Sequence, residues 1–213
     1  SLGLGRDLDA PIRGKSALTR TIERLALCER IERITILSTD PARTQGLIPA
    51  ACGLPIDVYP YAREESRARS IASARKWASA CWRGGLGFTT CYDEVLDPCA
   101  LESAIEQTDL DAALVVGADW CLVDPVLCDA VIERHSENPE AHALAFSQAA
   151  PGLSGCVVSR SLVGEIASAV RKGALMSHLG GAVGYLPRVP RQDPIAKSHC
   201  VIVDPAVRDA GLR

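Results

Sequence analysis

The stretch 112–125, Ala-Ala-Leu-Val-Val-Gly-Ala-Asp-Trp-Cys-Leu-Val-Asp-Pro, constrains the fold of this chain more than any other. It opens with an apolar run at 112–116, whose length predicts a strand buried on both faces of a sheet. Gly117 and Asp119 break the run, and Asp124 then stands before a proline, which predicts a helix N-cap and the first helical residue. Asp119 therefore follows the carboxyl end of a predicted central strand, where open α/β sheets bind ligands. The plainer alternative is that Asp119 merely ends the strand.

Short β-branched runs alternate with helical patterns along most of the chain. Strands are predicted at 33–39, 56–61, 112–116, 141–147 and 156–158, with an edge strand at 201–203. Helices are predicted at 16–26, 40–51, 64–80, 99–107, 125–137 and 162–170. This alternation is typical of an α/β fold in which helices cover both faces of a mainly parallel sheet, mixed at its edge. We expect residues 1–213 to form a single domain of this kind.

Composition and charge narrow the class of partner. The net charge of −3 provides no basic surface for a nucleic-acid duplex or an anionic membrane, and 4% aromatic residues are too few for stacking single-stranded nucleic acid. No apolar run approaches the roughly 20 residues of a membrane span. The nine cysteines include no C-x-x-C pair, so neither a zinc site nor a redox motif is predicted. We expect reduced cysteines in the core of a cytoplasmic protein, with a catalytic thiol as the minor alternative.

Residues 1–15 have the composition of a glycine-bearing basic loop. Its glycines and basic side chains are Gly3, Gly5, Gly14, Arg6, Arg13 and Lys15. A helix is predicted directly afterwards, with Ser16 as its N-cap. Backbone amides and the helix dipole favour an anion at such a helix N-terminus, so the loop is a candidate phosphate site. A plain surface turn explains the same pattern, and the loop is not a P-loop, because that motif needs a glycine where Asp9 stands.

A second glycine-rich loop, Cys-Trp-Arg-Gly-Gly-Leu-Gly at 81–87, has Arg83 at its entrance. Its three glycines allow the backbone to approach a ligand closely. We interpret the basic residues of the preceding helix as a solvated face: Arg67, Arg69, Arg75 and Lys76. His135 and His142 are interpreted as helix-surface or packing residues.

Together these segments resemble the nucleotidyltransferases that activate sugars, in particular the spore-coat polysaccharide and CMP-sugar cytidylyltransferase group. The matching positions are Arg13-Gly14-Lys15, Thr39-Asp40, Arg83-Gly84, Ala118-Asp119, Asp124-Pro125 and His135. The resemblance covers most of residues 1–147. It departs at Ala118 and Cys121, where the family usually has glycine and proline.

The resemblance implies a three-layer nucleotide-diphospho-sugar transferase (GT-A-like) fold. It implies transfer of a cytidylyl or other nucleotidyl group from a nucleoside triphosphate to a sugar or sugar acid, with release of pyrophosphate, as in polysaccharide biosynthesis. Asp119 then binds Mg²⁺, an ion that takes one or two carboxylates plus phosphate oxygens. Lys15 and Arg6 are the predicted catalytic cations, because negative charge grows on the phosphates during transfer. The predicted nucleotide-binding residues are Gly3, Gly5, Gly14, Arg83 and Gly84.

Two other functions stay open: a glycosyltransferase that uses a nucleotide-sugar donor, and a non-catalytic nucleotide-binding or scaffold domain of a sugar-modification pathway. The family's first strand would precede Ser1, and its second metal-binding aspartate has no clear match, with Asp193 and Asp204 as substitutes. We therefore expect either a domain truncated at both ends or one that has lost its chemistry. The expected partners are a nucleoside triphosphate and a sugar, without nucleic acid or membrane, and the chain is compatible with a homodimer.

Overall fold

Helices and strands alternate along the chain in a computed structural model that describes residues 8–9, 11–76, 89–174, 179 and 198–208. The strands are β1 (Pro11–Ile12), β2 (Lys15–Ser16), β3 (Ile34–Ser38), β4 (Ile56–Pro60), β5 (Ala112–Val115), β6 (Leu144–Ser147), β7 (Cys156–Ser159) and β8 (Cys200–Val201). The helices are α1 (Ala17–Leu25), α2 (Pro41–Gln45), α3 (Glu65–Arg75), α4 (Pro98–Thr108), α5 (Pro125–Glu137), α6 (Arg160–Arg171) and α7 (Pro205–Arg208). The fold of these residues is therefore mixed α/β.

Helix starts follow directly from local sequence. The side chains of Ser16, Asp40, Asp97, Asp124 and Ser159 each accept a hydrogen bond from a backbone amide in the first turn of the helix that follows. A proline follows each of the three aspartates, in the position where its missing N–H costs no helical hydrogen bond. The predicted starts of α1, α4 and α5 are confirmed.

The sheet differs from the predicted one in the direction and order of its strands. β3 and β4 pair in parallel, as the β-α-β pattern predicts. The other main sheet has the order β5-β7-β6-β8, in which β7 is antiparallel to both of its neighbours. A mainly parallel sheet mixed only at its edge is therefore wrong for the described residues.

The prediction that 112–116 forms a central, fully buried strand is also wrong in part. This segment is strand β5, but it ends the order of its sheet within the described residues, and only Val115 of its residues is buried. β5 and β6 run in the same direction, because both are antiparallel to β7. The chain passes from β6 to β7 through the turn at 148–155, without a crossover helix, so β7 returns antiparallel and separates β5 from β6.

Side chains along β7 alternate between two sides of the sheet. Cys156 and Val158 belong to the larger core cluster, which also contains Val163 of α6. Val157, which lies between them, packs with Val131 of α5. Helices α5 and α6 therefore cover opposite faces of this part of the sheet.

Two of the predicted elements near the amino end are wrong in their boundaries. Part of the predicted 1–15 loop is a β1–β2 hairpin, in which Arg13 (φ 50°) and Gly14 (φ 80°) form a two-residue turn. Left-handed backbone at both turn residues is the geometry that matches the twist of a hairpin. The helix predicted at 40–51 is only five residues long, because Gly46 ends it and Pro49 follows shortly afterwards.

The basic face predicted on α3 is solvated only in part. Arg69 and Lys76 are exposed, but Arg67 and Arg75 are only 3% and 2% exposed. Nη1 of Arg67 donates to the carbonyl of Leu96 at 3.1 Å. These buried arginines connect α3 to the segment that follows the glycine-rich loop. The prediction of a solvated basic face is therefore wrong for two of its four residues.

Most of the described cysteines lie in the core, as predicted, whereas Cys52, Cys99 and Cys121 are only partly buried. Free thiols lie at Cys28, Cys52, Cys91, Cys99, Cys121, Cys128, Cys156 and Cys200, and five of them are buried. The Cys28 and Cys128 thiols form a hydrogen bond that raises the pKa of Cys28 and lowers that of Cys128. Burial raises the pKa of Cys156 well above its usual range, which favours the neutral thiol.

Of the two alternatives for His135 and His142, helix surface or packing, the structure favours packing, because both are buried. Nδ1 of His135 lies 2.8 Å from the carbonyl oxygen of His142, and Nδ1 of His142 lies 2.7 Å from that of Arg134. Both rings thus bind backbone at the end of α5. Among the described residues, no helix has the length and apolar content needed to cross a bilayer.

Candidate functional site

The hairpin places Gly14 and Lys15 immediately before helix α1. The guanidinium of Arg20 holds the turn, since its nitrogens donate to the carbonyls of Ile12 at 3.3 Å and Arg13 at 3.0 Å. Nζ of Lys15 forms an ion pair with a carboxylate oxygen of Glu23, which lies on α1. Lys15 is 48% exposed, so its side chain is accessible from solvent.

A cleft of about 580 Å³ opens beside this hairpin. One wall consists of Gly14, Lys15, Ser16, Thr19 and Glu23, and the other of residues 46–51. The hydroxyl of Thr19 donates to the carbonyl of Leu47 at 2.7 Å, which joins the two walls at the helix side. Asp9 also lines the cleft, and Nε of Arg43 donates to it at 2.8 Å. The lining of the cleft therefore contains one ammonium group, that of Lys15, and the two carboxylates of Glu23 and Asp9. Lys15 pairs with Glu23, and Asp9 pairs with Arg43.

Asp119 lies in a double turn that connects β5 to α5. The amide of Trp120 donates to the carbonyl of Gly117 at 3.0 Å, and the amide of Val123 donates to the carbonyl of Trp120 at 3.0 Å. Asp119 is therefore the third residue of the first turn, and it is partly buried. The position past the carboxyl end of β5 agrees with the sequence-based prediction.

Helix α1 connects the cleft with the double turn. The hydroxyl oxygen of Thr21 lies 3.1 Å from the carbonyl oxygen of Ala118, which precedes Asp119, and 3.0 Å from that of Ala17, so its single hydrogen is shared between the two acceptors. Nε of Arg24 also donates to the carbonyl of Val123. Thr21 is five residues beyond the Ser16 N-cap, roughly 7.5 Å along a helix axis. Helix α1 thus begins just after Lys15 and contacts the Asp119 turn with its side.

The predicted site residues are brought together only in part. Gly14 and Lys15 line the same cleft, whereas Asp119 is on the neighbouring turn and does not line it. The remaining predicted residues, Gly3, Gly5, Arg6, Arg83 and Gly84, lie outside the described residues. The sequence-based reasoning missed Thr19 and Thr21, although Thr21 is a polar residue on the apolar stripe of α1, adjoining Ile22.

A metal at this site would depend on few protein ligands. Within the part of the chain that the structure describes, no group of three or more His, Cys, Asp or Glu side chains could enclose an ion. Mg²⁺ is commonly held by one or two carboxylates, with phosphate and water oxygens completing an octahedron. The single carboxylate of Asp119, on an irregular turn at a sheet edge, fits that donor set.

The comparisons with known proteins concern the fold. Neither models of protein families nor characterised protein sequences give a match. Among solved structures, the chain is similar to a cytidylyltransferase from Leptospira borgpetersenii serovar Hardjo-bovis, with a TM-score of 0.50 and 14% sequence identity. The match covers 76% of this chain and 56% of that protein, so the chain spans little more than half of its relative's length. The chain therefore has a cytidylyltransferase-like α/β fold.

Proposed function

We propose that this chain is a nucleotidyltransferase-like domain that binds a nucleoside triphosphate between the β1–β2 hairpin and the Asp119 turn. The observation that carries the proposal is the position of Asp119, which follows the carboxyl end of β5 and whose turn is contacted by helix α1, which begins just after Lys15. Open α/β sheets bind ligands beyond the carboxyl ends of parallel strands, and β5 runs in the same direction as β6 and β8. The cytidylyltransferase-like fold supports this class of reaction.

In this proposal, a hydroxyl or phosphate oxygen of a sugar or sugar acid attacks the α-phosphate of CTP or another nucleoside triphosphate, and pyrophosphate leaves. Lys15 exchanges its ion pair with Glu23 for the phosphates, and Arg6 supplies a second cation. Asp119 holds Mg²⁺, which when bound offsets the charge that develops on the phosphate oxygens. Gly3, Gly5 and Gly14 allow the backbone to approach the triphosphate.

The remaining parts of the proposal concern the base and the setting. We assign Arg83 and Gly84 to binding of the nucleotide base. The product is an activated sugar for polysaccharide synthesis in the cytoplasm, made by a single GT-A-like domain that can form a homodimer. These assignments rest on the resemblance of the motifs in addition to the similarity of the fold.

The test is pyrophosphate release from CTP in the presence of Mg²⁺ and a panel of sugars and sugar acids. Asp119→Asn keeps the size of the side chain but removes its charge, so we expect turnover to fall by about 100-fold or more. Asp111→Asn is the matched control, because Asp111 is exposed just before the opposite end of β5. Equal activity of Asp119→Asn and wild type would remove Asp119 from the mechanism.

The two alternatives predict different outcomes of the same assay. A non-catalytic domain would bind CTP in calorimetry and release no pyrophosphate with any acceptor. This alternative is favoured by Ala118 and Cys121, which replace the family's glycine and proline on either side of Asp119. A glycosyltransferase would instead release a nucleotide from a nucleotide-sugar donor.

A further inference from the structure

The turn that carries Asp119 is shaped by an aromatic ring that folds back over it. The pyrrole part of the Trp120 indole lies against the α-carbon of Gly117, at the start of the turn. A Cβ atom added at Gly117 would be 2.5 Å from Nε1 and 2.7 Å from Cδ1 and Cε2 of that ring. Real Cβ atoms do not approach other atoms so closely, so this ring position requires glycine at 117.

The ring is fixed from other directions as well. A Cβ atom on Gly152, which has a φ of 93°, would lie 3.9 Å from Cγ of Trp120. The ring of Tyr92 is tilted by 59° to the indole at a centroid distance of 6.1 Å, within the range of favourable aromatic pairs. Trp120 is only 9% exposed. The buried indole is therefore packed between its own turn and two other chain segments, at Tyr92 and Gly152.

Asp119 stands between two restrained points. On one side, the carbonyl oxygen of Ala118 lies 3.1 Å from the Thr21 hydroxyl, whose hydrogen it shares with the carbonyl of Ala17. On the other side is Trp120, whose amide closes the turn onto Gly117 and whose ring covers it. A side chain in such a turn has few backbone conformations open to it, which is the condition for a preorganised ligand.

We propose that Trp120, seated on Gly117, is a positioning residue that holds Asp119 in the orientation needed to bind a divalent cation. The inference rests on the proposed function, since it assumes that Asp119 is a metal ligand. Trp120 itself contacts neither metal nor substrate in this role. Supporting residues of this kind typically account for about 10- to 100-fold in metal affinity.

Binding of Mn²⁺ in the presence of CTP tests the inference, with free Mn²⁺ measured by electron paramagnetic resonance on the full chain. Gly117→Ala forces a rigid ring to move, so we expect the Mn²⁺ affinity to fall by about 10-fold or more. Gly53→Ala is the matched control, because a Cβ atom there meets nothing within 4 Å. Trp120→Leu should weaken binding to a similar extent, whereas Trp120→Phe retains an aromatic ring and should restore most of the affinity.

The outcomes separate this inference from the proposed function. If Asp119→Asn leaves Mn²⁺ affinity unchanged, the metal role of Asp119 is wrong and the inference is wrong with it. If Asp119→Asn weakens Mn²⁺ binding but Gly117→Ala and Trp120→Leu do not, only the positioning role of Trp120 is overturned. Circular dichroism and thermal unfolding identify any variant that fails to fold, and the Phe-against-Leu comparison at Trp120 then decides alone. Equal affinity of these two variants would overturn the inference.

Discussion

Replacing Arg75 by methionine tests whether α3 is anchored through its buried basic residues. Nε of Arg75 donates to a carboxylate oxygen of Glu94 at 2.8 Å, and Nη1 donates to the carbonyl of Thr89 at 3.3 Å. The arginine is 2% exposed and the glutamate 24%. Methionine occupies the volume of the apolar stem but makes neither bond, so the substitution isolates the polar contribution.

The expected loss of stability follows from these distances and exposures. Removing one partner of a fully buried ion pair costs about 3–5 kcal/mol, because the other charge is left in a poor solvent. Glu94 retains some contact with water, which reduces that penalty, whereas the lost bond to Thr89 adds about 1 kcal/mol. We therefore expect Arg75→Met to lower the free energy of unfolding by about 2–4 kcal/mol.

Urea unfolding measures this change, with Arg69→Met as the control on the exposed face of the same helix. The control should change the free energy of unfolding by no more than about 0.5 kcal/mol. A double-mutant cycle with Glu94→Gln should give a coupling energy of about 1–3 kcal/mol. A loss for Arg75→Met no larger than that of Arg69→Met, or a coupling energy near zero, would refute the buried-anchor interpretation.

Two further predictions concern charge in the cleft and titration in the core. Glu23→Gln removes a competing carboxylate and releases Lys15, so CTP should bind about 2- to 5-fold more tightly in calorimetry. The control is Glu133→Gln, in the exposed ion pair with Arg30. If the Glu23 variant binds CTP as tightly as wild type, or more weakly, the ion pair of Lys15 does not compete with the nucleotide. Burial raises the pKa of Tyr92 well above its usual range, so the folded state favours the neutral phenol. Its contribution to stability is complete below about pH 10 and is lost as pH rises further, so Tyr92→Phe should flatten the alkaline fall in unfolding free energy, and an equally steep fall in both proteins would contradict this.

Features that depend on neighbouring residues could be predicted from the sequence. The N-caps Ser16, Asp97 and Asp124 were predictable because each cap bonds an amide only a few residues ahead. The position of Asp119 after a strand was predictable for the same reason, since an apolar run followed by glycine ends within a few residues. The hairpin turn at Arg13-Gly14 was accessible in principle, but its strands are too short to show alternation.

Strand order and burial of charge depend on contacts far apart in the chain, and these were not predictable from local pattern. β7 separates β5 from β6, so the two strands that α5 connects are not neighbours in the sheet. Arg67 and Arg75 were assigned to a solvated face because charged residues rarely lie inside. Their spacing from Ile71, four residues to either side, does put them on the buried stripe of α3. The helical spacing of Arg67, Ile71 and Arg75 therefore indicated burial, although the charge of the arginines suggested a solvated face.

Helix α1 explains how two weak motif matches become one proposed site. Lys15 and Asp119 are about a hundred residues apart in sequence, and neither motif alone distinguishes a ligand site from a turn. Thr21 bonds the turn before Asp119, while the Ser16 cap fixes the helix end beside Lys15. Helix α1 contacts both the hairpin, through Arg20, and the Asp119 turn, through Thr21. In the proposed site, a triphosphate bound by Lys15 would therefore lie near a carboxylate, Asp119, whose turn is contacted by the same helix. Helix α1, more than either loop, would then fix the positions of these two groups.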